Sequence, residues 1–146
     1  MKILIDADSC PRDARELCTR RAAKLNIKTI FAANRPIPGV SVENMELCPP
    51  GENSADDRIV TLAESTDLVI TRDVPLAKRL VEKGTTVLDD RGRVFTKDNI
   101  NELLSMRNFI VGLAENGLGV ERKPGYGKKE LKAFADSLDR LLAKII

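Results

Sequence analysis

At 146 residues, 42% of them hydrophobic, the chain can bury a continuous core in one domain without disulfide or metal staples. It has no histidine and three cysteines, Cys10, Cys18 and Cys48, which excludes Ser-His-Asp and Cys-His nucleophilic schemes and leaves structural zinc without a ligand set. The net charge of +2 is too small to name a partner, but it is unevenly spread: Arg12 to Lys28 is basic and Glu43 to Asp67 is acidic.

Residues 2–6 are a β-branched apolar run and predict a strand. Asp6 and Asp8 interrupt that run before a signal-peptide core could form, and no stretch is apolar for long enough to cross a bilayer. A soluble cytoplasmic protein with no membrane partner is expected, and the odd set of thiols fits a reducing compartment. Pro11 then sits where a helix start tolerates it. The following helix puts Ala14, Leu17, Cys18, Ala22 and Leu25 on one face and Arg12, Arg15, Glu16, Arg20 and Lys24 outside.

Ile27 to Ala32 reads as a second strand, residues 34–39 as a loop and Val40 to Leu47 as a third strand. After the break at Pro49-Pro50-Gly51, Ser54-Ala55-Asp56-Asp57 has the spacing of a capping box opening a helix through Ile59, Val60, Leu62 and Ala63. Leu68 to Thr71 predicts a strand, Pro75 opens a helix carrying Leu76, Ala77, Leu80 and Val81, and Gly84 is placed to end it. Thr85 to Leu88 is the next strand, turning through residues 89–92 into a short strand over Val94-Phe95-Thr96. A long helix over about Asp98 to Asn116 carries the stripe Ile100, Leu103, Leu104, Ile110 and Val111, with Arg107 among them. A glycine-rich, basic segment, Gly117 to Lys129, precedes a final amphipathic helix through Leu131, Phe134, Leu138, Leu141, Leu142 and Ile145. Strands alternating with helices predict an α/β three-layer sandwich with a mostly parallel central sheet.

Three of these apolar runs end on aspartate: the first on Asp6 and Asp8, the Leu68 run on Asp73, the Thr86 run on Asp89 and Asp90. As neighbouring parallel strands they would gather carboxylates at one sheet edge, where open α/β folds bind ligands. Crowded carboxylates call for protons, basic side chains or a divalent cation. Asp6, Asp8, Asp56, Asp57 and Asp73 offer the hard oxygen donors that Mg²⁺ or Mn²⁺ prefers, and such an ion can polarise a phosphate and lower the pKa of bound water without any histidine. Asp6, Asp8 and Asp73 are the candidate catalytic acids. Arg12, Arg72, Arg91, Arg107 and Lys123 are candidates to hold a phosphodiester, with Lys78 a further basic group, and the segment containing Arg122, Lys123, Tyr126, Lys128 and Lys129 could close over it. Each acid also has an ordinary structural use: Asp57 in a capping box, Asp73 as an N-cap, Asp89 and Asp90 in a turn.

The words Ile5-Asp6-Ala7-Asp8-Ser9-Cys10-Pro11, Ser54-Ala55-Asp56-Asp57-Arg58-Ile59, Ile70-Thr71-Arg72-Asp73-Val74-Pro75-Leu76-Ala77 and Arg91-Gly92 resemble the bacterial YaiI/YqxD family, which is placed among the PIN-like domains. The match runs in order over nearly the whole chain, into the Phe134 and Leu138-Asp139 region. The resemblance implies a PIN-like fold, metal-site roles for Asp6, Asp56 or Asp57, and Asp73, with Asp8 adjoining, and a nuclease acting on nucleic acid, RNA ahead of DNA. Two departures bear on substrate: Gly51-Glu52-Asn53-Ser54 stands for a more usual glycine-acid-alanine wording, and Arg122-Lys123-Pro124-Gly125 for a glycine-glycine-proline form. Two other readings are open. A haloacid-dehalogenase-type phosphatase would use Asp6 as nucleophile with Thr71, Lys78 or Lys83, and Asp89-Asp90; a non-catalytic module would keep the scaffold and bind RNA.

Overall fold

The computed structural model describes residues 1–51, 53–118 and 125–145. Among these, six strands form one sheet: β1 (Lys2–Asp6), β2 (Lys28–Ala33), β3 (Met45–Leu47), β4 (Leu68–Ile70), β5 (Thr86–Leu88) and β6 (Val94–Phe95). Five helices accompany them: α1 (Arg12–Lys24), α2 (Ser54–Leu62), α3 (Val74–Lys83), α4 (Ile100–Glu115) and α5 (Lys128–Ile145). The strand order is β3-β2-β1-β4-β5-β6, parallel throughout except for the β5–β6 hairpin. The α/β sandwich with a mostly parallel sheet is therefore the observed architecture. No helix among the described residues is long and apolar enough to cross a membrane.

The sheet is covered on both faces, which is why its central strands read as unbroken apolar runs. Successive side chains of β1 divide between two cores. Ile3 and Ile5 pack with Phe31, with the Ala14, Leu17, Cys18 and Ala22 face of α1, and with Phe134, Leu138 and Leu142 of α5. Leu4 points the other way, into a core built with Ala32, Val69 and Val87, Ile59 of α2 and Leu76, Ala77 and Leu80 of α3.

Several local expectations are corrected. Leu25 is 45% exposed, because α1 ends at Lys24 and Asn26, in the left-handed region at φ 55°, already turns the chain toward β2. Only Met45–Leu47 of the expected third strand pairs with β2; Val42–Asn44 is a single 3₁₀ turn, held by Asn44 Nδ2 donating to the Thr29 carbonyl at 3.0 Å. The Ser54 capping box does not form: Asn53, at φ 65°, occupies the cap position and Ser54 is already helical. In α4 only Ile100 is buried and Ile110 is 59% exposed, since the helix packs chiefly on α3 and runs past the edge of the core.

β1 lies between β2 and β4, so the order of strands reverses at that point. The loop after β1 leads to α1 on one face and the loop after β4 to α3 on the other, opening a crevice at the carboxyl ends of both strands.

Candidate functional site

Asp6 is the last residue of β1, 6% exposed, and its side chain leaves the strand on the same face as Leu4, toward α2 and α3. Its Oδ2 accepts two hydroxyl hydrogen bonds, from Thr71 Oγ1 at 2.8 Å and Ser9 Oγ at 3.0 Å. Thr71 follows β4 directly and is tied to the sheet by its amide, which donates to the Leu88 carbonyl. The same hydroxyl accepts the Asp73 amide at 3.0 Å. Asp73 in turn caps α3, its Oδ1 accepting the Leu76 amide at 3.1 Å, with Pro75 in the first turn needing no acceptor of its own. The N-cap use of Asp73 read from the sequence is therefore real, and it fixes the side chain at the mouth of the crevice.

Asp56, in the first turn of α2, completes the group. Burial, followed by the charges of Asp73 and Asp6, pushes its carboxyl up to about 6. Burial likewise raises Asp6 against the lowering effect of its two hydroxyl bonds, with Asp73 and Asp8 adding to the rise. The carboxylates thus feel one another, as groups crowded at one strand edge must. They line a pocket of about 430 Å³ with Asp8, Ser9 and Arg72, rimmed by Asn34, Asn53 and Arg107.

The candidates separate in the structure. Asp6, Asp8, Asp56, Asp73, Arg72 and Arg107 come together. Asp57 does not: it points away to pair with Arg79 at 2.8 Å. Arg12 belongs to a different depression and pairs with Glu16 at 2.9 Å. Arg91 lies at the hairpin turn, over the Tyr126 ring at 5.7 Å and 3.7 Å from Glu130. Arg122 and Lys123 fall outside the described residues.

Asp89 and Asp90 shape the β5–β6 turn instead of the pocket. Asp89 Oδ1 accepts the amides of Arg91 and Arg93 at 2.9 and 2.8 Å. Asp90, 1% exposed, accepts from Arg72 Nη2 and so steadies a cation on the pocket wall from behind. Lys78 is held by Asn101 and Glu82 and Lys83 by the Val60 carbonyl, and neither lines the acid pocket. Neither of the two lysines read for an aspartyl-phosphate scheme therefore stands among the residues lining the Asp6 pocket.

Ser9, Asn34 and Asn53 escaped the sequence reading as site residues. Ser9 stood directly after the Asp6-Ala7-Asp8 word, and Asn34 directly follows the strand beside β1, which places it at the same edge.

The donors are all oxygen, the choice of hard cations such as Mg²⁺ or Mn²⁺. No group of three or more Asp, Glu or Cys side chains among the described residues is arranged to enclose a metal ion. A Mg²⁺ or Mn²⁺ ion at this pocket would have to be held by one or two of these carboxylates and keep several waters.

Comparison with known proteins agrees with the resemblance of the sequence words. The DUF188 profile, described as an uncharacterized YaiI/YqxD family, matches residues 4–144. A UPF0178 protein of Treponema denticola is 47% identical over all of this chain and 94% of its own length. One of Treponema pallidum is 44% identical over all of this chain and 84% of its own, and one of Pseudomonas putida is 40% identical over 99% and 98%. No solved structure matches significantly. With the profile spanning nearly every residue and such relatives aligned end to end, the chain belongs to the YaiI/YqxD family, whose curated members carry the name UPF0178.

Proposed function

We propose that the chain is a divalent-metal-dependent phosphodiesterase acting on RNA ahead of DNA. The observation that carries this reading is the convergence of Asp6, Asp8, Asp56 and Asp73, from three separate stretches of sequence, into one pocket at the reversal point of the sheet. A Mg²⁺ or Mn²⁺ ion bound there would neutralise the clustered charge, polarise a phosphate oxygen and acidify a water. Asp6 and Asp73 would be its principal ligands. Asp6 is presented rigidly by the Thr71 and Ser9 hydroxyls, and Asp73 by its cap on α3. Asp56, which lines the same pocket, would hold a proton at the attacking water or orient it. Arg72 and Arg107 face the substrate phosphate from the pocket wall. The PIN-like relationship implied by the sequence words supports nucleic acid as the substrate class.

The test is cleavage of end-labelled single-stranded and structured RNA with manganese. Turnover should require the metal and vanish in Asp6→Asn and Asp73→Asn. Turnover that persists in EDTA or in both variants refutes the mechanism, and RNA binding of equal strength with and without metal, with no cleavage, points to a non-catalytic binding module.

A further inference from the structure

A second, basic depression adjoins the acid pocket. Asp8 lines both the acid pocket and a small hollow beside it, and Arg15 and Pro38 line both that hollow and a trough of about 540 Å³ over α1 and the loop after β2. The three depressions therefore share lining residues and lie next to one another. At the junction Arg35, 3.7 Å from Asp8, offsets the carboxylate field that would repel an approaching phosphate.

The trough mixes two chemistries. Arg12, Arg15 and Arg20 stand along α1, while Phe31, Pro38 and Val40 supply an apolar wall. Glu16 neutralises only Arg12, at 2.9 Å; Arg15 and Arg20 have no acidic partner among the described residues. Arg15 Nε is moreover buried without a hydrogen-bond acceptor, an uncommon condition for a buried donor.

We propose that this trough is a track for single-stranded nucleic acid flanking the scissile bond, with backbone phosphates on Arg15 and Arg20 and a base against the Pro38 and Val40 wall. The proposal rests on the reading of the acid pocket as a phosphodiesterase site and specifies its substrate class. A duplex hides its bases and would leave the apolar wall unused, whereas an unpaired strand presents phosphates and base faces together.

Fluorescence anisotropy with manganese and RNAs carrying a hydrolysis-resistant phosphorothioate backbone tests the track apart from cleavage. A labelled single-stranded RNA of about 12 nucleotides is long enough to reach beyond the acid pocket, and one of about 3 is not. Arg20→Glu, and separately Arg15→Gln with Arg20→Gln, should weaken the longer RNA about tenfold and lower its salt slope by roughly 0.7 for each phosphate no longer neutralised. The short RNA should bind unchanged. Arg20 is exposed, so Arg20→Glu should fold even if substitution at Arg15 does not. Unchanged affinity and slope, equal loss for the short RNA, equal affinity for a duplex, or displacement by polyglutamate at matched charge would each overturn the proposal. Cleavage that is intact while Arg20→Glu leaves binding unaltered rejects the track alone; trough-dependent binding without cleavage rejects the activity alone.

Discussion

The Thr71 hydroxyl donates to Asp6 Oδ2 at 2.8 Å, joining residues 65 positions apart in sequence across the ends of β1 and β4. Because the same oxygen accepts the Asp73 amide, its proton has one direction to point, toward Asp6. Thr71 is 1% exposed, so water cannot replace either bond. Thr71→Val keeps the volume and removes both, leaving a buried carboxylate oxygen and a backbone amide short of partners, at a cost of about 1–3 kcal/mol. Urea melts should show that loss, manganese-dependent cleavage should fall, and Thr71→Ser should restore both. Wild-type behaviour of the valine variant would mean the hydroxyl positions nothing.

Asp56→Asn and Asp57→Asn should behave differently although the residues are adjacent. Asp57 makes one exposed pair with Arg79, worth at most about 1 kcal/mol, and its amide should leave cleavage intact. Asp56 ionises near 6 in the folded chain and near 4 in the unfolded one. Between those values the unfolded state binds fewer protons, so without metal its contribution makes stability fall as pH rises from about 4 through about 6. Thermal melts in EDTA should show this fall in the wild type and a flatter profile in Asp56→Asn. Manganese should raise the melting temperature more at pH 7 than at pH 5. A profile that Asp56→Asn leaves unchanged would remove Asp56 from the cluster.

How far the sequence revealed this site follows from which features are local. Buried parallel strands write themselves as apolar runs, so the ends of β1 and β4, and with them Asp6 and Asp73, could be read directly. The choice between Asp56 and Asp57 could not, because neighbours on a helix differ by about 100° and only the docking of α2 on the sheet decides which one faces the crevice. Asp89 and Asp90 ended a strand just as Asp6 did, but β5 turns at once into an antiparallel hairpin, and its acids are consumed by the turn amides and Arg72. The exposed half of α4 was also hidden: an apolar stripe states that a face exists, not that the protein has something to cover it.

The Arg72–Asp90 pair couples the hairpin to the pocket. Asp90 is 1% exposed and its Oδ1 has no hydrogen-bond partner, so the Arg72 guanidinium is what balances a buried charge. Arg72 itself is half exposed, which lets water compensate in part. Arg72→Ala should therefore cost about 1–3 kcal/mol, below the value for a fully buried pair. In the double variant with Asp90→Asn much of that loss should return, because the stranded charge is gone, while cleavage should stay low because the pocket still lacks its cation. Additive losses in this cycle would show that the two side chains are not energetically coupled.

Gly92 and Gly84 separate backbone strain from crowding. Their φ values are +91° and +89°, so alanine meets the same left-handed penalty at each, about 1–2 kcal/mol. At Gly84, the stop of α3, a Cβ would enter open space. At Gly92 it would lie 2.5 Å from the Ala133 carbonyl oxygen of α5, where Ser137 Oγ already bonds the Gly92 carbonyl at 2.7 Å. Backbone on both sides cannot give way as a side-chain tip can, so Gly92→Ala adds an overpacking cost of about 1–3 kcal/mol. It should also loosen the turn that carries Asp90, and with it the seating of Arg72. Chemical denaturation should rank Gly92→Ala well below Gly84→Ala, and cleavage should fall only in the former. Equal stability of the two would mean that α5 does not clamp the hairpin, and the path from the C-terminal helix through Asp90 to the pocket would fail with it.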